Sequence, residues 1–269
     1  MSGILNIQLN PVSGDKEKNL EKAADFIEKY SVHKPDLIVL PEFFSTGIDD
    51  NTMINEPEDE NGGIVVETLS KAAKKFDTNI VCGSVIEKEG EKLYNTCFVV
   101  DRAGKIAGKY RKIHLFQFFG GNEHTYTTPG NLPPCVVELD FARVGVSVCF
   151  DIKYPVLYKT LIKMGAEIIV SPSAWIKLKS LSNKKKEDSL LCWRSLNIAR
   201  AAESLVYFVT SNLAGDMNNS LYSVGNSMIT NPLGVVESIQ GGAEGADFKE
   251  INLKLVRELK QTVPVAFID

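Results

Sequence analysis

The sequence predicts an α/β architecture with sheets covered by helices, on three observations. Short apolar runs of strand length recur along all 269 residues, some wholly apolar as in strands buried on both faces. Others follow one another in antiparallel succession across short turns. Helical stretches lie between them, and no internal repeat or low-complexity linker intervenes. The length suits one large domain, spanning 1–269, or two small ones.

Residues 4–9 (ILNIQL) read as a strand. Asp15 can cap the next helix, where Leu20, Ala23, Ala24 and Ile27 recur at helical spacing. Pro35 and Asp36 end it. Residues 37–40 form a wholly apolar strand, with Pro41-Glu42-Phe43-Phe44 at its end. The acidic stretch 49–63 reads as a surface loop, 64–76 as a helix and 79–86 as a strand. A turn at 87–92 containing Gly90 leads into a strand at 93–100, and a hairpin turn at 101–104 continues the meander through 105–110. The loop 117–130 is long, aromatic and glycine-rich, the kind that covers a site beside a rigid scaffold. Strands at 135–139 and 141–148 run into Cys149, and a polar turn leads to a helix over 154–164. A strand at 167–170 ends in Ser171-Pro-Ser-Ala-Trp175. The lysine-rich stretch 177–186 reads as a solvated loop, 188–203 as a helix, 205–211 as a strand and 212–221 as a loop. Strands at 222–230, 235–239 and 246–253 and a short helix near 256–259 complete the chain.

Composition narrows the function. The hydrophobic share is 44% and the charged share 24%, an ordinary globular balance. With 34 acidic against 30 basic residues the net charge is −4, which offers no overall attraction to nucleic acid or anionic membrane. The lysine-rich stretch lacks the arginines and interleaved aromatics of a nucleic-acid site. No apolar run reaches membrane-span length, and no basic region precedes a long apolar segment at the start, so no membrane partner or secretory signal is expected. Cys82, Cys97, Cys135, Cys149 and Cys192 are odd in number and never in CxxC spacing. That argues against a disulfide framework or a zinc site and for a reducing cytoplasm. No metal or other cofactor is expected.

Three strand ends carry the chemistry. Cys149 sits where an apolar strand turns into a helix, a place that exposes a thiol beside positively polarised amides. Free cysteines mostly pack in cores, so the turn alone does not assign it. Glu42 ends a buried strand between a proline and two phenylalanines, where an acid is rarely left without a partner. Lys112 closes a strand in Lys109-Tyr-Arg-Lys112-Ile-His114-Leu-Phe116. A cysteine nucleophile needs a proton carrier and charge stabilisation at the carbonyl oxygen, and Glu42 and Lys112 supply those two functions. His114 and His124 lie near Lys112 and Glu123 in sequence and leave a Cys–His dyad as the rival arrangement.

These motifs together resemble the nitrilase superfamily of carbon–nitrogen hydrolases, over nearly the whole chain. Asp36-Leu-Ile-Val-Leu-Pro-Glu42 resembles the family's catalytic-glutamate motif, Tyr110-Arg-Lys112-Ile-His-Leu-Phe its lysine motif, and Gly145-Val-Ser-Val-Cys149-Phe-Asp-Ile-Lys-Tyr-Pro its nucleophile motif. Glu123, followed by Pro129-Gly130, resembles its second glutamate. Val156 departs from the glutamate common after the proline of the nucleophile motif, Ser204 ends the Ala-Arg-Ala-x-Glu-Asn pattern, and the tail after Thr262 lacks the basic residues many members carry.

The resemblance implies a single carbon–nitrogen hydrolase domain folded as a four-layer α-β-β-α sandwich of the nitrilase type. It implies that Cys149 attacks the carbon of a small amide or N-carbamoyl substrate to give a thioester. Glu42 acts as proton carrier, Lys112 and the Phe150 amide stabilise the oxyanion, and Glu123 orients Lys112. Phe116, Phe150 and Trp175, with the 118–126 loop, are expected to line the pocket. The same triad also serves nitrile hydrolysis and acyl transfer, and the fold could house a catalytically silent binding protein. A homodimer or higher homo-oligomer is implied, paired through helices 154–164 and 188–203 with Trp193 as a candidate anchor.

Overall fold

The structure, a computed structural model, describes residues 1–118 and 121–263. The first sheet runs, in spatial order, Gly245–Ile251, Ser2–Gln8, Leu37–Val39, Asn79–Val81, Lys92–Val100 and Val85–Glu89, with Ile106–Arg111 also paired to Lys92–Val100. The second runs Val236–Ile239, Met228–Thr230, Tyr207–Asn212, Ile168–Ser173, Arg143–Val146 and Cys135–Glu138. The centres of both are parallel: Ser2–Gln8 with Leu37–Val39 and Asn79–Val81, and Arg143–Val146 with Ile168–Ser173 and Tyr207–Asn212.

Parallel strands need helices on one face and a partner on the other, which is why these segments are apolar throughout. Leu37 and Val39 point into a core shared with Val144, Val146 and Val170 of the second sheet. Ile38 and Leu40 point the other way, against Leu20, Ala23 and Ile27 of helix Lys16–Tyr30 and Val65, Val66 and Leu69 of helix Gly63–Phe76. Helices Pro155–Lys163 and Asn183–Ser204 cover the second sheet through Leu157, Leu161, Trp193 and Ala201. The order of layers is helix, sheet, sheet, helix. Asn6 Nδ2, donating at 3.0 Å to the Thr210 carbonyl, and Ser211 Oγ, donating to the Ile7 carbonyl, tie the two sheets across the middle. Among the described residues no helix is long and apolar enough to cross a membrane.

Several elements differ from the sequence expectation, each for a local reason. The acidic stretch 49–63 is not simply a loop. Asp49 caps a short helix, Asp50–Asn55, accepting from the Thr52 amide at 2.8 Å. Glu58 is buried, receiving Lys16 Nζ at 2.8 Å and the Ile64 amide at 3.1 Å. Asp49 and Glu58 are thus a cap and a partner rather than solvated charges, while Glu56 and Glu60 are exposed. The expected strand 79–86 breaks at Gly83, whose φ of +66° only glycine adopts freely. The strands flanking Gly90 reach Glu89 and restart at Lys92, so the turn is shorter than expected.

The lysine-rich stretch 177–186 is also no loop. Ile176–Leu178 pairs with Leu221–Val224, and the following helix already starts at Asn183, capped by Ser182 Oγ. Lys177 is buried, with Nζ donating to the Lys186 carbonyl, and burial pulls its pKa down to about 8. Ala214–Asp216 forms a strand inside the expected 212–221 loop. The expected 222–230 strand splits at Gly225 and Asn226, both at positive φ. The terminal helix is longer, Leu253–Thr262, because Asn252 caps it. Trp193 is fully buried within the chain, donating from Nε1 to the Asn226 carbonyl at 2.9 Å, so it is a core residue and not an exposed anchor. Cys82 and Cys97 are buried as expected, whereas Cys135 and Cys192 are half-buried; all five cysteines are free thiols. Phe119, Gly120 and the tail 264–269 lie outside the described residues, as does the side chain of Phe118.

Gly83 sets one test. A Cβ there would lie 2.2 Å from the Pro41 carbonyl oxygen, immediately before Glu42, and would also be held at positive φ. Gly83→Ala is expected to lose about 3 kcal/mol of stability, read by urea titration, because strain and a backbone clash act together.

Candidate active site

Each expected catalytic group stands at the end of a strand, and the sheet pairing brings them together. Leu37–Val39 leads to Glu42, Ile106–Arg111 to Lys112, and Arg143–Val146 to Cys149, while Glu123 opens a 3-10 turn, Glu123–Thr125. All four side chains are buried: Glu42 and Lys112 are 2% exposed, Glu123 3% and Cys149 5%. Lys112 Nζ lies 2.9 Å from Glu42 Oε1 and 2.8 Å from Glu123 Oε2. Glu42 Oε2 accepts from the Ala174 amide at 2.9 Å, and Glu123 Oε2 also accepts from the Phe116 amide at 2.8 Å. Glu42 and the Ala174 backbone stand close to the Cys149 thiol.

The electrostatics follow from this geometry. Burial raises the Glu42 pKa above the usual carboxylate range; Lys112 and Asn95 pull it down and Glu123 pushes it up, and the raised direction prevails. Burial works against the charge on Lys112, but Glu123 and Glu42 outweigh it and hold its pKa well above the ordinary lysine value. Burial, then the nearby Glu42, raises the Cys149 pKa well above that of a free thiol, and Lys112 only partly offsets them. The nearby cation alone therefore does not hold this thiol as a thiolate.

Cys149 adopts φ of +44°, a conformation that costs a non-glycine residue about 1–3 kcal/mol. Asp151 holds the turn in place. Its Oδ2 accepts from the Val148 amide at 2.9 Å and Tyr110 Oη at 2.8 Å, and its Oδ1 from the His114 amide at 3.0 Å. His114 Nδ1 sits 2.7 Å from the same Oδ1, and its ring stacks on Tyr154 at 3.7 Å. His114 thus braces the turn, and His124 is exposed, which removes the support for a Cys–His dyad.

Of the expected pocket residues, Phe116 and Phe150 meet edge to face at 5.4 Å, while Trp175 packs on Trp193 at 5.0 Å. Lys153 Nζ bridges the two groups, 6.0 Å from the Phe150 ring and 5.7 Å from that of Trp175. Asn95, the Ala174 amide and the bracing role of Asp151 were not foreseen. Asn95 had a signal: a carboxamide inside a largely apolar strand needs a buried partner.

Comparison with known proteins agrees with this geometry. Residues 6–261 match the carbon-nitrogen hydrolase family. The chain is 34% identical to a 2-oxoglutaramate amidase of Bacillus subtilis, over 96% of this chain and 94% of that protein. It is 29% identical to the omega-amidase NIT2 of Homo sapiens, over 96% of this chain and 91% of that one. The crystal structure of Saccharomyces cerevisiae Nit3, described as a member of branch 10 of the nitrilase superfamily, superposes with a TM-score of 0.85 at 26% identity, covering 98% of this chain and 94% of that chain. A carbon-nitrogen hydrolase from Helicobacter pylori G27 shares the fold, with a TM-score of 0.91 at 24% identity over 100% of this chain and 95% of that one. The chain belongs to the carbon–nitrogen hydrolase family of the nitrilase superfamily.

Proposed function

We propose that the chain acts as one hydrolase domain that cleaves the terminal amide of a small acid through Cys149, with Glu42 as proton carrier and Lys112 as oxyanion partner. The observation that carries this reading is the contact set of Lys112 and Glu42. Lys112 Nζ spends two of its three N–H groups on Glu42 Oε1 and Glu123 Oε2, leaving one for a substrate oxygen. Glu42 Oε1 already takes Lys112 and Asn95, whereas Oε2 takes only the Ala174 amide, so Oε2 has the lone pair free for a proton.

The steps balance on these atoms. Glu42 takes the thiol proton as sulfur bonds to the amide carbon, and the oxyanion accepts from Lys112 and the Phe150 amide. Glu42 then gives its proton to the nitrogen, the C–N bond breaks, ammonia leaves and a thioester remains. Water loses a proton to Glu42 and attacks the thioester. The same proton returns to sulfur as the carboxylic acid departs.

The substrate class rests on the amidases to which the chain is similar and on Lys153. Its ammonium stands between Phe150 and Trp175, beside the nucleophile turn, and can receive the carboxylate at the far end of a short acyl chain. We place the enzyme in the cytoplasm, acting on a small molecule and on neither nucleic acid nor membrane. It pairs as a homodimer through helices Pro155–Lys163 and Asn183–Ser204, whose Val156 and Leu191 are exposed.

Ammonia release should be followed with 2-oxoglutaramate, with monoamides of other four- and five-carbon dicarboxylic acids, and with neutral amides of matching length. The acid amides are expected to be preferred by about 10–100-fold in kcat/KM, and Lys153→Ala to raise KM for them by a similar factor. Equal rates on the neutral amides would remove the carboxylate from the reading. Cys149→Ala and Glu42→Gln are expected to abolish turnover, with a Cys149 acyl adduct seen by intact mass only when the thiol is present. His114→Ala is expected to keep measurable activity; an inactive His114 variant beside an active Glu42→Gln would sink the assignment. The kcat/KM profile is expected to fall on the acid side above the usual carboxylate range, because Glu42, with its raised pKa, must be ionised to accept the thiol proton.

A further inference from the structure

Asn95 lies on strand Lys92–Val100, fully buried, and touches three of the four catalytic groups. Its side-chain nitrogen donates one hydrogen to Glu42 Oε1 and the other to Glu123 Oε1, each at 2.8 Å. Its main-chain carbonyl accepts the Lys112 amide at 2.8 Å. The carboxamide orientation is unambiguous, because exchanging oxygen and nitrogen would set the oxygen against two carboxylates. In this orientation Asn95 Oδ1 is buried and has no partner among the described residues. A folded protein rarely leaves such an acceptor unpaired, since burial without a hydrogen bond is unfavourable. The arrangement satisfies the two acids at the expense of the amide's own oxygen, as expected when the acids' geometry is what matters.

We propose that Asn95 is a positioning residue that sets which oxygen of Glu42 exchanges the proton with Cys149, and this rests on the assignment of Glu42 as proton carrier. With Lys112 and Asn95 both on Oε1, that oxygen is saturated, which leaves Oε2, held by the Ala174 amide, as the oxygen able to exchange the proton. By tying Glu42 and Glu123 to one planar group, Asn95 also fixes the spacing within which the Lys112 ammonium sits. Removal of its two donors would leave Lys112 and one backbone amide on each acid, from Ala174 and Phe116, to orient them. Its bond to Glu42 also favours the ionised form of that acid, so loss of the bond makes Glu42 hold its proton to higher pH.

The test is the pH dependence of Cys149 alkylation by iodoacetamide, read by peptide mass, alongside the pH profile of kcat/KM for an amide substrate. Asn95→Ala, Asn95→Ser and the near-isosteric Asn95→Asp are compared with the unaltered enzyme, and thermal melting checks that each is folded. The expected result is an acid-side midpoint displaced upward by about one pH unit in the Ala and Ser variants, the scale set by one charge-assisted hydrogen bond. It should move further in the Asp variant, which adds a third carboxylate. kcat should fall by about 10–100-fold with KM little changed, as expected for a group acting on the proton carrier rather than on bound substrate. A merely structural Asn95 would lower the melting temperature and leave the midpoint in place, and an unmoved midpoint in the folded variants overturns the proposal. Alkylation needs no substrate, so an enzyme inactive on every amide tried would fail the substrate reading without deciding this one. Where one of the three variants does not fold, the other two carry the comparison.

Discussion

Everything at the site depends on one buried contact, the Lys112 ammonium held between the Glu42 and Glu123 carboxylates. Removing such charges from water costs several kcal/mol per ion, and only close pairing with good hydrogen bonds offsets it. Here every carboxylate oxygen has at least one donor within 2.9 Å. One cation between two acids still leaves an excess of negative charge when both acids are ionised. A buried site in that state has affinity for one more proton, which suits Glu42, whose pKa is raised by burial, to accept one. The main chain is built to hold this contact: the Lys112 amide donates to Asn95, and the Lys112 carbonyl accepts from Gly130. A side chain at Gly130 would meet the Arg111 carbonyl oxygen at 2.1 Å, so the loop carrying Glu123 approaches this strand only through a glycine.

The neighbouring residue shows what the same chemistry does when the charges balance. Arg111 is as buried as Lys112 but pairs with Glu87, at 2.5 Å through Nη2 and 3.1 Å through Nε, with its guanidinium 3.9 Å from the Tyr94 ring centre. Burial pushes the Glu87 pKa up, but Arg111, Lys109 and Thr96 together outweigh it and hold it below the usual range. Glu87 thus stays ionised and has no proton to trade. Two buried glutamates on one sheet differ because one has two cations and a hydroxyl while the other shares a single cation with a second acid. The fully paired set anchors the strand that presents Lys112 and leaves the unbalanced set as the candidate for chemistry.

The sequence made the candidate site's buried Glu42, Lys112 and Cys149 and the layer order legible because both follow from short-range rules. Wholly apolar runs such as 37–40 mean two buried faces, and polar residues at their ends mean a site there. What it hid were polar residues whose partners lie far along the chain. Glu58 looked solvated because neither Lys16 nor the Ile64 amide is adjacent to it. Lys177 looked like one lysine of a basic loop because nothing local says that Tyr222 pairs beside it. Asn95 looked like one polar position in a strand because its two acceptors are 53 and 28 residues away. Strand breaks at Gly83 and Gly225 were hidden for a different reason: glycine is permitted in a strand, and only the tertiary path demands its positive φ.

The state of Cys149 follows from the same imbalance. A thiol pushed up by burial and by a neighbouring acid is a poor nucleophile at rest, although Lys112 stands near enough to favour the thiolate. Under the proposed mechanism the proton moves to Glu42 as the carbonyl carbon arrives, and the sulfur becomes reactive only when there is something to attack. The left-handed turn at Cys149, clamped by Asp151 to Tyr110 and the Val148 amide, keeps the sulfur at the position where that transfer occurs. A thiolate sustained permanently at the same spot would react with any oxidant that entered. The proposed triad would avoid this by storing the charge on a carboxylate and an ammonium, neither of which is easily oxidised, and lending it to sulfur only during the reaction.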